Sequence, residues 1–352
     1  MGKKKKGKQE KGQKAKKTIR GTSSGTRSSV WNKKNLLFAL KIFVILVVCF
    51  WICRKLYFAW DVVQKISWQP DYGLLAFAGL CYAAAYIPAA FFWRLSMQSL
   101  GQTPGLYETL RAYYIGHLGK YVIGKAFVLI IRSGLLDHSR TTLSASAASV
   151  FLETMTMMAV GAFAAAVMVL YCGISVQEYS SGFIALAAAG VAAATMLPIL
   201  PPVLRFAAKF VAKKYQDEIG RLRFRTLAVG WLLNIPVWIM LGVFLWLTML
   251  GFGMKSESPL AEIPFCILVA SIAVVLGFIS MLPAGLGARE VVMALILTQY
   301  ILQHPILPLP EPEKTDPKQW AELQALVIVA LQRVISIAAE LAVAACFWKK
   351  RV

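Results

Sequence analysis

The chain has 352 residues, of which 58% are hydrophobic and only 16% charged, against about 25% charged and 45–50% apolar in an ordinary soluble domain. That balance reads as a polytopic membrane protein, all-α, and at about 20 apolar residues per crossing plus loops the length holds about eight transmembrane helices and no large soluble catalytic domain. The net charge of +21 is uneven, because residues 1–34 carry 13 Lys and Arg against one acid, Glu10.

In chain order, residues 1–34 run from Lys3-Lys4-Lys5-Lys6 to Lys33-Lys34 with Gly, Ser, Thr and Gln between. Such composition predicts a disordered polybasic cytoplasmic arm that touches anionic lipid head groups, each basic residue contributing about 1 kcal/mol near that surface. No aromatic residue precedes Trp31, so nucleic acid is not an expected partner. The long arm and the run ending Cys49-Phe50-Trp51-Ile52-Cys53 do not fit a cleaved secretory signal, so the first span is expected to remain. The transmembrane domain is placed at 35–352. Apolar runs predict crossings at 36–53, 72–93, 143–171, 183–201, 226–252, 264–282, 286–303 and 322–348.

A ninth run, 113–131, contains His117, Lys120 and Lys125 and is interrupted by Gly116, Gly119 and Gly124. It is poor material for a lipid-facing span and predicts a re-entrant hairpin shielded by protein, because irregular backbone at membrane depth must be satisfied by protein or a water-filled cavity. Loop charge supports this threading. With a hairpin returning to its own side, the inner segments hold 27 Lys and Arg and the outer segments 6, which places both termini in the cytoplasm. The basic stretch 203–225 then reads as an amphipathic interfacial helix, and the proline-rich segment from His304 to Glu313 as a stiff extended connector. The six cysteines lie in or beside apolar runs and form no CxxC pair, so small apolar packing is expected, with no metal site and no cofactor.

An ionised side chain at mid-bilayer costs about 2.5–3.5 kcal/mol on insertion scales, so each one requires a partner, water or a place near the interface. Lys41 lies five residues into its span and can snorkel to the inner surface. Gly119-Lys120-Tyr121-Val122-Ile123-Gly124-Lys125 brackets a short apolar turn with two glycines and two cations, a pattern suited to cradling a phosphate or carboxylate. Leu282-Pro283-Ala284-Gly285-Leu286-Gly287-Ala288-Arg289-Glu290 reads as a broken helix. There the N-terminus of the next helix presents free N–H groups, Arg289 adds a bidentate donor, and Glu290 either holds Arg289 or accepts a proton. Arg333 and Glu340, seven apart, share a helix face, and Glu153 can pair with Arg132, Arg289 or Arg333. A purely structural charge network is the competing explanation for all of these residues.

Taken in order, Gly119-Lys120-Tyr121-x-x-Gly124-Lys125, Arg132, Glu153, Leu282-Pro283-x-Gly285-Leu286-Gly287-x-Arg289-Glu290 and Arg333 resemble the lysylphosphatidylglycerol synthase transmembrane-region family. This is the flippase-like membrane domain of multiple peptide resistance factor proteins and of many stand-alone bacterial and archaeal proteins. The resemblance covers about 36–350. Ile123 stands where the family usually has Pro, and Ala284 where it usually has the first Gly, which stiffens or reshapes both turns. The resemblance implies a polytopic bundle in the cytoplasmic membrane that moves a lipid or lipid-linked head group between leaflets. Its implied substrate-binding residues are Lys120, Lys125, Arg132, Glu153, Arg289, Glu290 and Arg333, with motif glycines Gly119, Gly124, Gly285 and Gly287. The chain is expected to lack the soluble aminoacyl-transferring domain of some relatives, and so not to act as the synthase. Membrane lipids with anionic head groups are the expected partners, together with a possible second copy of the chain. The alternatives are a membrane transferase acting on a lipid or lipid-linked sugar, and a non-catalytic accessory subunit. No GxxxxGK[ST] loop occurs, so direct ATP hydrolysis is not expected.

Overall fold

The computed structural model describes residues 69–121, 126–136, 140–172, 224–309 and 316–348. Every regular element among them is helical. Six stretches are long and apolar enough to cross a membrane: Tyr72–Ser99, Leu143–Tyr171, Arg225–Phe252, Pro259–Ile279, Pro283–Gln303 and Pro317–Trp348. The protein is a multi-pass membrane protein. These six coincide with six of the eight crossings expected from the sequence. The other two, 36–53 and 183–201, lie outside the described residues, as do the arm 1–34 and almost all of the interfacial segment 203–225.

The first described crossing is two helices, α1 (Tyr72–Ala85) and α2 (Ile87–Ser99). Pro88 has no N–H to return to Ala84, so the ladder breaks at Tyr86, whose own N–H turns to the Ala84 carbonyl. Asp71 caps α1 by accepting from the Leu74 N–H at 3.0 Å. Next come α3 (Leu106–His117), a 3₁₀ turn (Leu118–Tyr121) and α4 (Ala126–Gly134). Glu108 starts α3 by accepting from the Gly105 N–H at 3.2 Å, which places its first turn seven residues ahead of the apolar run read from the sequence. At 1.5 Å per residue, the 12-residue α3 and 9-residue α4 are about 18 and 14 Å long, too short for a bilayer core of about 30 Å.

Long helices follow: α5 (Leu143–Tyr171), α6 (Phe224–Phe252), α7 (Pro259–Ile279), α8 (Ala288–Gln303) and α9 (Pro317–Trp348). Helix α7 begins five residues before the predicted 264 because Glu262 gathers four donors around its first turn. These are the Trp246 indole at 2.8 Å, the Ser256 hydroxyl at 2.6 Å, and the Glu257 and Ser258 N–H groups at 3.1 and 3.2 Å. Helix α9 likewise starts five residues early, at Pro317, with Asp316 accepting from the Lys318 N–H at 2.9 Å. Before it, Leu307 in the described part of the connector is pinned by the Gln324 amide and the Trp320 indole.

Helix α6 is the hub, packing against α1, α2, α5 and α7, while α9 packs against α8, α1 and α3. Close approach depends on missing side chains, as expected where apolar lipid supplies no hydrophobic drive between helices. A Cβ on Gly242 would lie 2.7–2.8 Å from the Ile267 backbone, and one on Gly161 would enter the Trp238 ring. Trp93, Trp238, Tyr82 and Phe244 are the large side chains of this interior. Outward-facing Phe77, Leu80, Leu170, Leu232 and Leu295 are more than half exposed and form the apolar surface a membrane would cover.

Candidate functional site

Two breaks in the helical ladder, 165 residues apart from start to start (118 to 283), meet in space. The 3₁₀ turn Leu118–Tyr121 packs on a second 3₁₀ turn, Pro283–Gly285, that joins α7 to α8. Each break has a backbone reason. Gly119 lies so close to α4 that a Cβ would sit 2.8 Å from the Val128 nitrogen and 3.0 Å from Val128 Cα. In the second turn Gly285 and Gly287 have φ of +68° and +88°, and Met281 and Ala284 also enter the left-handed region at +57° and +51°. A Cβ on Gly285 would also press on the Gly277 backbone at 3.1–3.2 Å.

Ala284 stands where the glycine usual in the motif would carry this conformation without strain. A non-glycine residue there costs about 1–2 kcal/mol, partly offset by the larger chain entropy that glycine loses on folding. Ala284→Gly is therefore expected to stabilise the chain by up to about 1 kcal/mol, read as a raised midpoint in thermal unfolding of the purified protein; a lowered midpoint would contradict the strain.

Among the described residues, the largely buried charges around these turns form three ion pairs. Lys120, in the first turn, meets Glu340 of α9 at 2.5 Å. Glu340 also accepts from the Tyr82 hydroxyl of α1, and His117 lies 2.9 Å from Lys120 and 3.6 Å from Glu340. The second pair is Arg333 of α9 with Glu290 of α8, at 3.6 Å. Tyr121 joins the two pairs, its ring 5.1 Å from the Lys120 ammonium and 5.4 Å from the Arg333 guanidinium. The third pair is Arg132 of α4 with Glu153 of α5 at 2.9 Å, both side chains 3% exposed. Tyr113 donates to Glu153 at 3.0 Å, and the Arg132 guanidinium lies 3.9 Å from the Tyr113 ring and 5.2 Å from Trp93.

The sequence left Glu153 with three possible cations, and the fold selects Arg132. It also separates residues that the motif reading grouped together. Arg132 and Glu153 form their own aromatic-caged centre between α4 and α5, and the Tyr113, His117 and Tyr86 rings stack in a row from it toward the other charges. Glu290 does not hold its neighbour Arg289: it accepts from the Gly287 N–H at 2.6 Å, capping its own helix, and faces Arg333. The Gly287 N–H at the start of α8 is therefore not free for an anion, because the third residue of the helix reaches back to it first. Arg289 is half-buried, backs onto Gly277 through its Cβ, and makes no hydrogen bond or ion pair among the described residues. Lys125 and Gly124 lie outside the described residues.

Tyr82, Tyr121, His117 and Glu340 surround Lys120, and Tyr113 belongs to the Arg132–Glu153 centre, although the motifs placed none of the five in the binding set. A tyrosine or histidine in a membrane segment is the available signal, because its polar atom needs a partner there. Several polar atoms of the site are buried with no hydrogen-bond partner: the Tyr121 hydroxyl, Glu290 Oε1, Glu340 Oε2, and Arg333 Nε and Nη2.

No curated protein matches the chain in sequence. A family model described as the lysylphosphatidylglycerol synthase TM region matches residues 38–306, a range that holds both interrupted motifs and the hairpin, while Arg333 and Glu340 lie beyond it. With that match covering well over half of its residues, the chain belongs to the lysylphosphatidylglycerol synthase TM region family.

Proposed function

We propose that the protein moves a lipid, or a lipid-linked head group, between the leaflets of a cytoplasmic membrane without converting it chemically, both termini being cytoplasmic. The observation that carries this reading is the meeting of two non-helical turns, each rich in glycine or cations, among helices of membrane-spanning length. Broken helices whose ends meet inside a bundle are how transporters expose polar backbone and charge to a substrate at membrane depth. The short α3 and α4 act as a re-entrant hairpin whose tip presents Lys120. Arg289 and Arg333 supply the other cations toward an anionic head group, while acyl chains remain in lipid. Arg132 and Glu153 hold the hairpin against α5. The basic arm 1–34 rests on anionic lipid and has no nucleic-acid role.

The test is reconstitution of the full chain into liposomes with fluorescent anionic, zwitterionic and aminoacylated lipids, scoring leaflet transfer for wild type and for Lys120→Ala, Arg289→Ala and Glu290→Ala. Transfer is expected for wild type and at least a tenfold slower rate in the variants. Unchanged transfer in all three would remove the site assignment, and no transfer of any lipid by wild type would remove the transporter reading.

A further inference from the structure

The surroundings of Lys120 fit a side chain that is charged in one state and neutral in another. An ammonium has three N–H donors and no acceptor. At Lys120 those donors meet Glu340 Oε1 at 2.5 Å, the His117 imidazole Nε2 at 2.9 Å and the Tyr82 hydroxyl at 3.4 Å. A neutral amine has two N–H groups and a lone pair. The same shell serves it as well, because Glu340 and Tyr82 keep the two donors while the imidazole changes tautomer and offers Nε2–H to the lone pair. A permanent cation needs only the carboxylate; an imidazole, which accepts in one tautomer and donates in the other, is the partner that suits a titrating amine.

Charge gives the two states a use. Among the described residues of this junction the cations are Lys120, Arg289 and Arg333 and the anions are Glu290 and Glu340. With Lys120 charged they carry a single surplus positive charge, and with Lys120 neutral they balance. The other groups facing His117 and Lys120 leave that sum unchanged. Arg132 of α4 is paired with Glu153 of α5, and Tyr82, Tyr86, Tyr113 and Tyr121 are phenols. An uncompensated charge in a largely buried site is unfavourable, and of the three cations only the lysine can shed its proton, since a guanidinium stays charged at any working pH. A ligand with one negative charge reverses the balance, because the junction is then neutral only when Lys120 is charged.

Resting on the transport reading above, we propose that the junction takes up one proton with each anionic head group it binds, and that Lys120 carries it. As pH rises with no anion bound, Lys120 becomes neutral and accepts from His117 Nε2–H. When an anion enters, a proton from water adds to His117 Nδ1 and the Nε2 proton passes to the Lys120 amine. The imidazole is then neutral again in its other tautomer. Release of the head group reverses the transfer, so an anionic lipid and a proton move in the same direction and a pH difference across the membrane drives both.

The test is binding of short-chain phosphatidylmethanol, a phosphodiester with one charge that does not titrate near neutrality, to the full chain in weakly buffered detergent with a pH indicator. The range is about pH 7, where tuned lysines titrate, to about pH 9. Wild type is expected to withdraw protons from solution on binding, rising to about one per bound probe, with an affinity that falls as pH rises and approaches a tenfold loss per unit. The sign follows from the charges. An anion favours charged Lys120, so affinity is full where the lysine already holds its proton and is lost above that pH. Short-chain phosphatidylcholine, which has no net charge, is expected to bind without uptake. Lys120→Arg, a cation that cannot deprotonate, is expected to take up no proton per bound probe whatever its affinity. The lysines of the arm 1–34 are the same in both proteins, so the difference belongs to position 120. His117→Phe, which cannot donate to a neutral amine, is expected to lower the uptake at least twofold, and His117→Gln, whose amide can turn either group to Lys120, to retain most of it. Binding by wild type without proton uptake, or equal uptake in Lys120→Arg, overturns the proposal while leaving transport standing. Uptake without leaflet transfer in liposomes leaves the coupled site and removes transport. Failure of every anionic probe to bind removes both.

Discussion

Arg132→Met alone is expected to destabilise the protein by about 3–5 kcal/mol, because it leaves the Glu153 carboxylate charged and without its cation in a site where both side chains are 3% exposed. Among the described residues of α3 and α4, the Tyr113 hydroxyl, which donates to Glu153 at 3.0 Å, is the donor that remains to that carboxylate, and one neutral donor does not replace a guanidinium. Restoring neutrality should recover much of the loss. Arg132→Met combined with Glu153→Leu is expected to unfold closer to wild type than either single variant, because paired burial of two apolar side chains removes both desolvation penalties. Thermal or denaturant unfolding of the purified chain in detergent checks this. A double variant no more stable than Arg132→Met would show that the pair's hydrogen bonds, and not the uncompensated charge, carry the effect. The same cycle separates holding from binding, since a centre that only secures α4 against α5 should leave leaflet transfer unchanged in the double variant.

Gly119→Ala is expected to prevent the hairpin from closing. The new Cβ would lie 2.8 Å from the Val128 nitrogen and 3.0 Å from the Phe127 carbonyl carbon. These are backbone atoms with no rotamer to change, so α4 itself must shift. Overpacking of this kind typically costs about 1–3 kcal/mol, occasionally more. Here the shift also moves the Lys120 tip away from Glu340, so loss of leaflet transfer should accompany the loss of stability. Gly134→Ala, at the other end of α4, has nothing within 4 Å of the added Cβ and is expected to change stability by less than about 1 kcal/mol. Unfolding midpoints and protease sensitivity of the two variants give the comparison. Equal behaviour would mean that the close approach at Gly119 does not hold the hairpin shut. Gly116→Ala should be at least as damaging as Gly119→Ala, because its Cβ would lie 2.3 Å from Arg132 Cγ, at the root of a side chain held by Glu153, and 3.3 Å from the Arg132 nitrogen.

Much of this architecture is legible residue by residue. Six crossings can be read from apolar length, since a helix in lipid satisfies its own backbone and needs only about 20 residues of sufficient hydropathy. Gly116, Gly119, Lys120 and the short run around them mark the break after α3, and Pro283, Gly285 and Gly287 mark the second turn, because glycine, proline and charge all disfavour a continuous lipid-facing helix. The helix starts were less legible. Glu108, Glu262 and Asp316 begin α3, α7 and α9 ahead of the apolar runs through hydrogen bonds to the first turn, and hydropathy does not register a polar cap.

By itself, the sequence determined that this chain is a helical membrane protein, where its described crossings lie, which two segments break, and which charged residues require partners, because each depends on local composition and on the cost of placing a charge or an open peptide group in lipid. Only the tertiary structure decided which charges meet. Glu153 had three cations within reason and took Arg132; Glu290 turned from its neighbour Arg289 to cap Gly287 and face Arg333; Glu340 took Lys120 from 220 residues away. The reason is that pairing depends on how closely helices approach, and that distance is set where Gly119, Gly242 and Gly285 let one backbone press on another.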